Sequence, residues 1–354
     1  FTVDKTAPTG SINIKGTNGE SKSWIEWVKD VFFNIFTSGS KKVSMTSEDE
    51  TAGVATTQYY KYHPDAESRY TFQGLTLEQL NNMTEDEWTM GSSSCSTSVD
   101  ANEQAIVYEK IVDKAGNVRY INNQEGVIAD NTAPEAPQIK ISIADPAQDI
   151  YNSNVPFTID VKDPKKGETY AGLKEVYYEI TNNGTVKQSG NYNSELANPT
   201  ARKQKISHSE TVMAALNNSN HVQIKVKAVD YAGNTSEATK DLKIDITNPE
   251  VTITFDLNNP LNGKYYKDTR TATISVKERN FDQNAVNLNI TNTDGTMPSV
   301  SGWSISPQAG ESDEAINTCT VTFSADGDYN MSMQCTDKAG NGSNTATIEE
   351  FTVD

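Results

Sequence analysis

Cysteine is scarce: Cys95, Cys319 and Cys335 are the only three among 354 residues. That excludes a fold held by a disulfide framework and leaves each core to stand on packing. Histidine is as rare, with His63, His208 and His221 dispersed along the chain. The HExxH, GxSxG, P-loop and CxxC patterns are all missing, so the chain lacks the motifs of zinc hydrolysis, acyl transfer, nucleotide binding and thiol redox chemistry. Neither an enzyme nor a bound cofactor is expected. No apolar run reaches membrane-spanning length, so no membrane contact is expected of this stretch. Basic residues are outnumbered, 30 Lys and Arg against 48 Asp and Glu, and the net charge of −18 would repel nucleic-acid phosphates.

What the chain has is punctuation. It begins FTVDKTAP and ends EEFTVD, so Phe1–Asp4 and Phe351–Asp354 carry the same four residues. Related junctions stand inside: Asp130 before Thr132, Ala133 and Pro134, and Asp245 before Thr247, Asn248 and Pro249. A second marker recurs with them, DKAGN at Asp113, DYAGN at Asp230 and DKAGN at Asp337. From Asp113 to Asp130, Asp230 to Asp245 and Asp337 to Asp354 the gaps are 17, 15 and 17 residues. Two markers recurring three times define an internal repeat. The expected units are residues 5–130, 131–246 and 247–354, each of about 100 to 130 residues and so large enough for one core. The FTVD at each end reads as a repeat boundary within a longer string, in which this stretch is expected to be monomeric.

The second unit is the plainest. PQIKISI, VPFTIDV, LKEVYYEI, TVKQSG, RKQKISHS, HVQIKVKAVD and ATKDLKID alternate apolar and polar residues between Gly, Asn, Asp and Pro, which gives about seven strands and a sandwich. In HVQIKVKAVD, Val222, Ile224, Val226 and Ala228 share the face expected in the core. The AGN marker falls between strands, where Gly116, Gly233 and Gly340 supply the positive φ of a tight hairpin. Asp113, Asp230 and Asp337 give one carboxylate per turn, short of the six to eight oxygens calcium takes, so the turn reads as architectural. The acidic junctions leave weak calcium rigidification open. In the third unit Tyr329 opens the strand before the marker, the position of a tyrosine corner. Cys319 and Cys335 both face inward, as a disulfide or as two buried thiols.

These features together resemble the bacterial Ig-like repeats of large surface proteins of gut Firmicutes. The residues that carry the resemblance are the VDKTAP-type junctions, the D-x-AGN hairpins, and AGVATTQYY at Ala52 and AGLKEVYY at Ala171. The third unit has ERNFDQNAVNLNI in place of the last motif and looks like a different subtype. The resemblance implies an all-β chain of three tandem Ig-like antiparallel β-sandwiches, anchored outside a Gram-positive cell wall as a stalk or an adhesive array. Some commensal proteins of this type bind host immunoglobulin.

The first unit departs from its neighbours. SWIEWVKDVFFNIF does not alternate; at 100° per residue Trp24, Trp27, Val28, Val31, Phe32 and Ile35 gather on one side, which predicts an inserted amphipathic helix capped by Ser23, with Phe33 opposite and exposed. A long, partly helical loop follows Tyr60, with a helix signal TLEQLNNM capped by Thr76 and Gln79. Long loops on a rigid sandwich are where recognition usually sits. Phe33, Arg69, Tyr70, Phe72 and Trp88 are therefore the candidate partner-binding residues. The expected activity is binding of a host protein, with immunoglobulin the specific reading, through the first unit or its groove with the second. A passive spacer and a glycan- or mucin-binding module are the alternatives.

Overall fold

The computed structural model describes residues 3–16, 19–23, 30–64, 72–123, 125–143, 149–293 and 295–354. Strands make up 55% and helices 7%, so the all-β expectation holds. The sheets come in pairs within successive stretches of chain. In the second stretch Gln138–Ile141, Val155–Lys162 and Lys205–Val212 form one sheet. Ile150–Tyr151, Thr235–Ile244, Ser219–Asp230, Leu173–Asn182 and Thr185–Asn191 form the other, in that order. One apolar cluster joins them: Phe157 and Ile159 from the first sheet meet Val176, Ile224, Val226 and Ala228 from the second. All seven strands expected there form, and alternation is the cause, since each second side chain must leave water for the core.

The third stretch repeats the plan. Glu250–Phe255, Arg270–Lys277, Ile316–Phe323 and Ser299–Val300 oppose Tyr265–Tyr266, Ala346–Val353, Gly327–Cys335 and Val286–Asn292. Tyr329 is fully buried and its hydroxyl donates to the Ala325 carbonyl at 2.9 Å, the tyrosine corner expected at this position. Cys319 and Cys335 lie on strands of opposite sheets and are both buried free thiols, so the bridged alternative is set aside. Burial pushes both thiols up, Cys319 to about 11, which makes them inert apolar filling rather than reactive groups.

In the first stretch the second half of the expected helix, from Asp30 on, is strand instead. Residues 24–29 lie outside the described residues, and Asp30–Thr37 is a strand, paired in parallel with Glu125–Ala129. Aromatic and β-branched residues favour the pleated backbone, and the sheet supplies the backbone partners a short helix would have to make for itself. The register shifts between Gly126 and Val127, so Phe33 packs on one face and Ile35 on the other. That switch is why the segment fails to alternate. Phe33 is only 3% exposed, against the expectation of an exposed ring: it lies over Gly126, where an added Cβ would sit 2.7 Å from the ring.

The same sheet is buried on both faces. Along Glu103–Asp113, Ala105, Val107 and Ile111 enter the sandwich core, while Ile106 and Tyr108 join Phe33, Leu80 and Trp88 in a second apolar cluster outside it. The long insertion builds that outer cluster. Its helix Leu77–Asn82 has the expected capping box, Gln79 N–H donating to Thr76 Oγ1 and Thr76 N–H to Gln79 Oε1. Leu75 N–H donates to the Tyr108 hydroxyl at 2.7 Å and ties the insertion to the sheet.

Each pair of sheets closes in the same way at its exit. Thr37 aligns in parallel with Ala129, Tyr151 with Ile244, and Tyr266 with Val353. The next residue then donates back across the pair: Asp130 N–H to Thr37, Asp245 N–H to Tyr151 and Asp354 N–H to Tyr266, at 2.8, 2.8 and 2.9 Å.

Candidate functional site

The sequence markers meet in space, in an order that sequence spacing does not suggest. Each AGN turn packs against the junction that opens its own unit, about a hundred residues earlier, rather than the nearer one that follows it. Gly116, Gly233 and Gly340 have φ of 90°, 90° and 94°, so the turns need glycine as expected. The marker Asp organises the turn: one carboxylate oxygen of Asp113, Asp230 or Asp337 accepts the N–H of Asn117, Asn234 or Asn341 at 2.8 to 2.9 Å, and the other accepts the same residue's side-chain amide. That amide donates again, from Asn234 to the Asp130 carbonyl and from Asn341 to the Asp245 carbonyl, both at 2.9 Å. In the first unit Asn117 donates to the Thr6 carbonyl at 3.2 Å.

The junction Asp shapes the connector. Asp4, Asp130 and Asp245 accept the N–H two residues on, from Thr6, Thr132 and Thr247, at 2.9 to 3.0 Å. This Asx turn holds the chain as it leaves one unit for the next. A third acid completes each site. Lys41–Glu48, Val155–Lys162 and Arg270–Lys277 are eight-residue strands, and the residue directly after each is acidic: Asp49, Asp163 and Glu278. Backbone N–H groups fix these acids, Ala52 and Gly53 on Asp49, Gly172 on Asp163 and Asn280 on Glu278, at 2.6 to 2.7 Å.

Three carboxylates therefore converge at each junction. The sets are Asp4, Asp49 and Asp113; Asp130, Asp163 and Asp230; and Asp245, Glu278 and Asp337, with one oxygen of each residue within 4.8 Å of the others. All members of the second and third sets are buried, whereas Asp4 and Asp49 are partly exposed. Crowded carboxylates out of water resist ionisation. Burial, with the charges of Asp130 and Asp230, pushes Asp163 up to about 7 against the pull of the Gly172 N–H and Arg202. Burial likewise raises Asp230 to about 6, and raises Glu278 beside Asp245 and Asp337. One guanidinium attends each buried set. Arg202 stacks over Tyr170 at 4.8 Å in the second, and Arg279 pairs with both Asp245 and Asp313, at 3.2 and 3.1 Å, in the third.

Sequence reasoning found the junction and marker aspartates but treated each turn as an isolated carboxylate. It missed Asp49, Asp163 and Glu278 and the convergence they complete. The signal was available: an acid directly follows the corresponding eight-residue strand in all three units.

Two of the expected partner-binding residues, Phe33 and Trp88, are described with their side chains, and both are buried. Trp88 is 4% exposed, enclosed by Tyr60 and Tyr120 with Lys110 over its ring, so it is a core residue of the insertion and not a contact. Phe33 is buried in the same cluster. Arg69 and Tyr70 lie outside the described residues, as does the side chain of Phe72, whose backbone pairs with Val31.

Neighbouring units touch beside the acidic sites. Phe36 stacks on Tyr231, the variable position of the second marker, with ring centroids 5.0 Å apart, and Thr169 donates to the Asn102 carbonyl. Arg279 donates to Asn218 and to the Ile244 carbonyl, and the amides of Asn220 and Asn280 pair at 2.8 Å.

Three solved structures match the chain at low identity. A 1.5-MDa bacterial ice-binding adhesin, described for host cell surface retention, is 13% identical at a TM-score of 0.32, covering 89% of this chain and 90% of its own. The Escherichia coli adhesin FdeC is 10% identical at 0.33, with all of both chains covered. Murine CEACAM1b is 11% identical at 0.25, covering 61% of this chain and 99% of its own. Likeness at this level says nothing about ligand or partner. No curated protein matches the sequence significantly. The model of the bacterial Ig-like domain matches residues 21–131, 166–246 and 270–354, most of the chain and once in each repeat. The chain belongs to the bacterial Ig-like domain family.

Proposed function

We propose that this chain is a non-catalytic, extracellular length of a bacterial surface protein, serving as a stiff stalk in which each sandwich is fixed to the next at an acidic junction. The observation that carries this reading is the repeated latch: a marker Asn of each unit grips the connector that enters it, from Asn234 to Asp130 and from Asn341 to Asp245. Connectors tied in this way restrict rotation between units, and Pro134 and Pro249 stiffen them further. Small-angle scattering of the whole chain tests it. The intact protein should scatter as an extended particle with a narrow range of shapes. Asn234→Ala with Asn341→Ala should broaden that range, and an unchanged profile in the folded double variant rejects the latch.

A second reading keeps the chain as a binder of a host protein, immunoglobulin being the specific candidate and mucin glycan the alternative. The observation that favours it is the insertion after Tyr62, which builds an additional apolar cluster on one sandwich. Binding of the whole chain to polyclonal immunoglobulin and to mucin tests it; silence with both leaves the stalk alone.

A further inference from the structure

Buried carboxylates are stable when hydrogen-bonded, paired or ligated. At the second junction Asp163 is fully buried. Its Oδ2 accepts the Gly172 N–H at 2.6 Å, while its Oδ1 has no hydrogen-bond partner among the described residues. The third junction repeats this. Glu278 is 1% exposed, its Oε1 accepts the Asn280 N–H at 2.6 Å, and its Oε2 has no hydrogen-bond donor among the described residues while the carboxyl lies against the like-charged Asp245. Asp130, Asp230, Asp245 and Asp337 spend oxygens on turn N–H groups, so the free lone pairs concentrate on the one acid in each set that no sequence marker carries. Two sites in different repeats thus leave the same oxygen open.

Charge and distance point the same way. Each buried set brings three carboxylates together. Arg202 supplies one positive charge to the second, and Arg279 is shared with Asp313 at the third, so both sets keep a surplus of negative charge. One oxygen from each residue of a set lies within 4.8 Å of the others. Calcium ligates oxygen at roughly 2.4 Å, so oxygens this close can be drawn onto one ion by small side-chain shifts. The donor set is all oxygen, with no histidine or cysteine, which suits a hard cation and not zinc or copper. Magnesium wants a tighter octahedron near 2.0 Å, whereas calcium tolerates irregular and bidentate carboxylates.

We propose that Asp130, Asp163 and Asp230, and likewise Asp245, Glu278 and Asp337, each hold one calcium-class divalent cation that the unpartnered oxygens of Asp163 and Glu278 help ligate. Each ion joins an incoming connector, a strand end and a hairpin turn, so binding fixes the junction. The sites stand independently of the stalk reading; only the consequence for stiffness rests on it.

Isothermal titration of the whole chain, stripped with chelator and titrated with calcium chloride and separately with magnesium chloride, tests the proposal. The expected result is saturable calcium binding at two or more sites with a dissociation constant of about 10⁻⁴ to 10⁻³ M, the range of extracellular modules, with magnesium at least tenfold weaker. Thermal unfolding should shift upward with calcium. The double variant Asp163→Asn, Glu278→Gln should lose both responses. Its melting without calcium should match or exceed that of the parent, because a repelling buried charge has gone; that measurement also shows it is folded. No heat and no melting shift up to about 10 mM calcium, well above the expected constant, overturns the proposal. Undiminished binding in the folded double variant overturns it equally. Scattering with and without calcium reports stiffness separately, so a bound ion that leaves the scattering unchanged rejects the stalk consequence while keeping the sites.

Discussion

The side-chain amide of Asn234 donates to the carbonyl of Asp130 at 2.9 Å, across 104 residues of chain, and to the Asp230 carboxylate four residues away at 2.8 Å. It joins the beginning of the second unit to its last hairpin. Asn234→Ala leaves a buried carboxylate short of a donor, which typically costs about 1 to 3 kcal/mol. Urea unfolding should show that loss in the second unit, while the first unit's tryptophan signal keeps its midpoint.

Phe33 and Gly126 offer a steric test. A methyl group at Gly126 would meet the Phe33 ring at 2.7 to 2.8 Å, so Gly126→Val should prevent the parallel strand pair from closing. Phe33→Ala opens a cavity in the outer cluster and should cost about 3 to 5 kcal/mol. If Phe33→Ala unfolds at the parent's midpoint, the ring is not core and the strand assignment fails.

Glu109 gives a pH dependence. It is fully buried within the first sandwich, with neither carboxylate oxygen hydrogen-bonded among the described residues, and burial pushes it up to about 8. The folded state therefore holds a proton that the unfolded chain releases near pH 4.5. The stabilisation is complete below that value and is lost as pH rises toward 8, at up to about 1.4 kcal/mol per pH unit. Glu109→Gln should flatten this slope for the first unit. Parallel stability profiles of parent and variant between pH 5 and 8 would remove Glu109 as the cause.

Arg270 is the cation of the third unit's aromatic box, with its guanidinium 3.6, 4.0 and 4.5 Å from the ring centroids of Phe255, Tyr266 and Phe351 and its Nε donating to the Leu257 carbonyl. Arg270→Lys keeps the charge and loses the planar stack and that bond. It should cost about 1 to 2 kcal/mol, with Arg270→Ala costing more. Equal midpoints for the two variants would mean the charge contributes nothing.

The sandwich strands were legible wherever one face meets water, because burial then imposes alternation; Val222 to Ala228 is the plain case. The segment from Asp30 to Thr37 was not. It lies in a sheet covered on both sides and carries a register shift, so its aromatic spacing fits a helix as well as a strand. Trp88 read as a contact because the sequence could not show that its own loop folds over it. The acidic sites were half legible. Two of the three acids lie in visible markers, and the third follows a strand whose length gives its place only once the three units are aligned by their sheets.

The parallel pairing at the end of each unit sets how the array meets tension. A pull on the two ends of the second unit draws Ile150–Tyr151 and Lys243–Ile244 in opposite directions along their length, and the Asp245 N–H to Tyr151 bond lies across that line. The paired bonds are then sheared together instead of being peeled one at a time. A unit wired in this way yields late and abruptly under load.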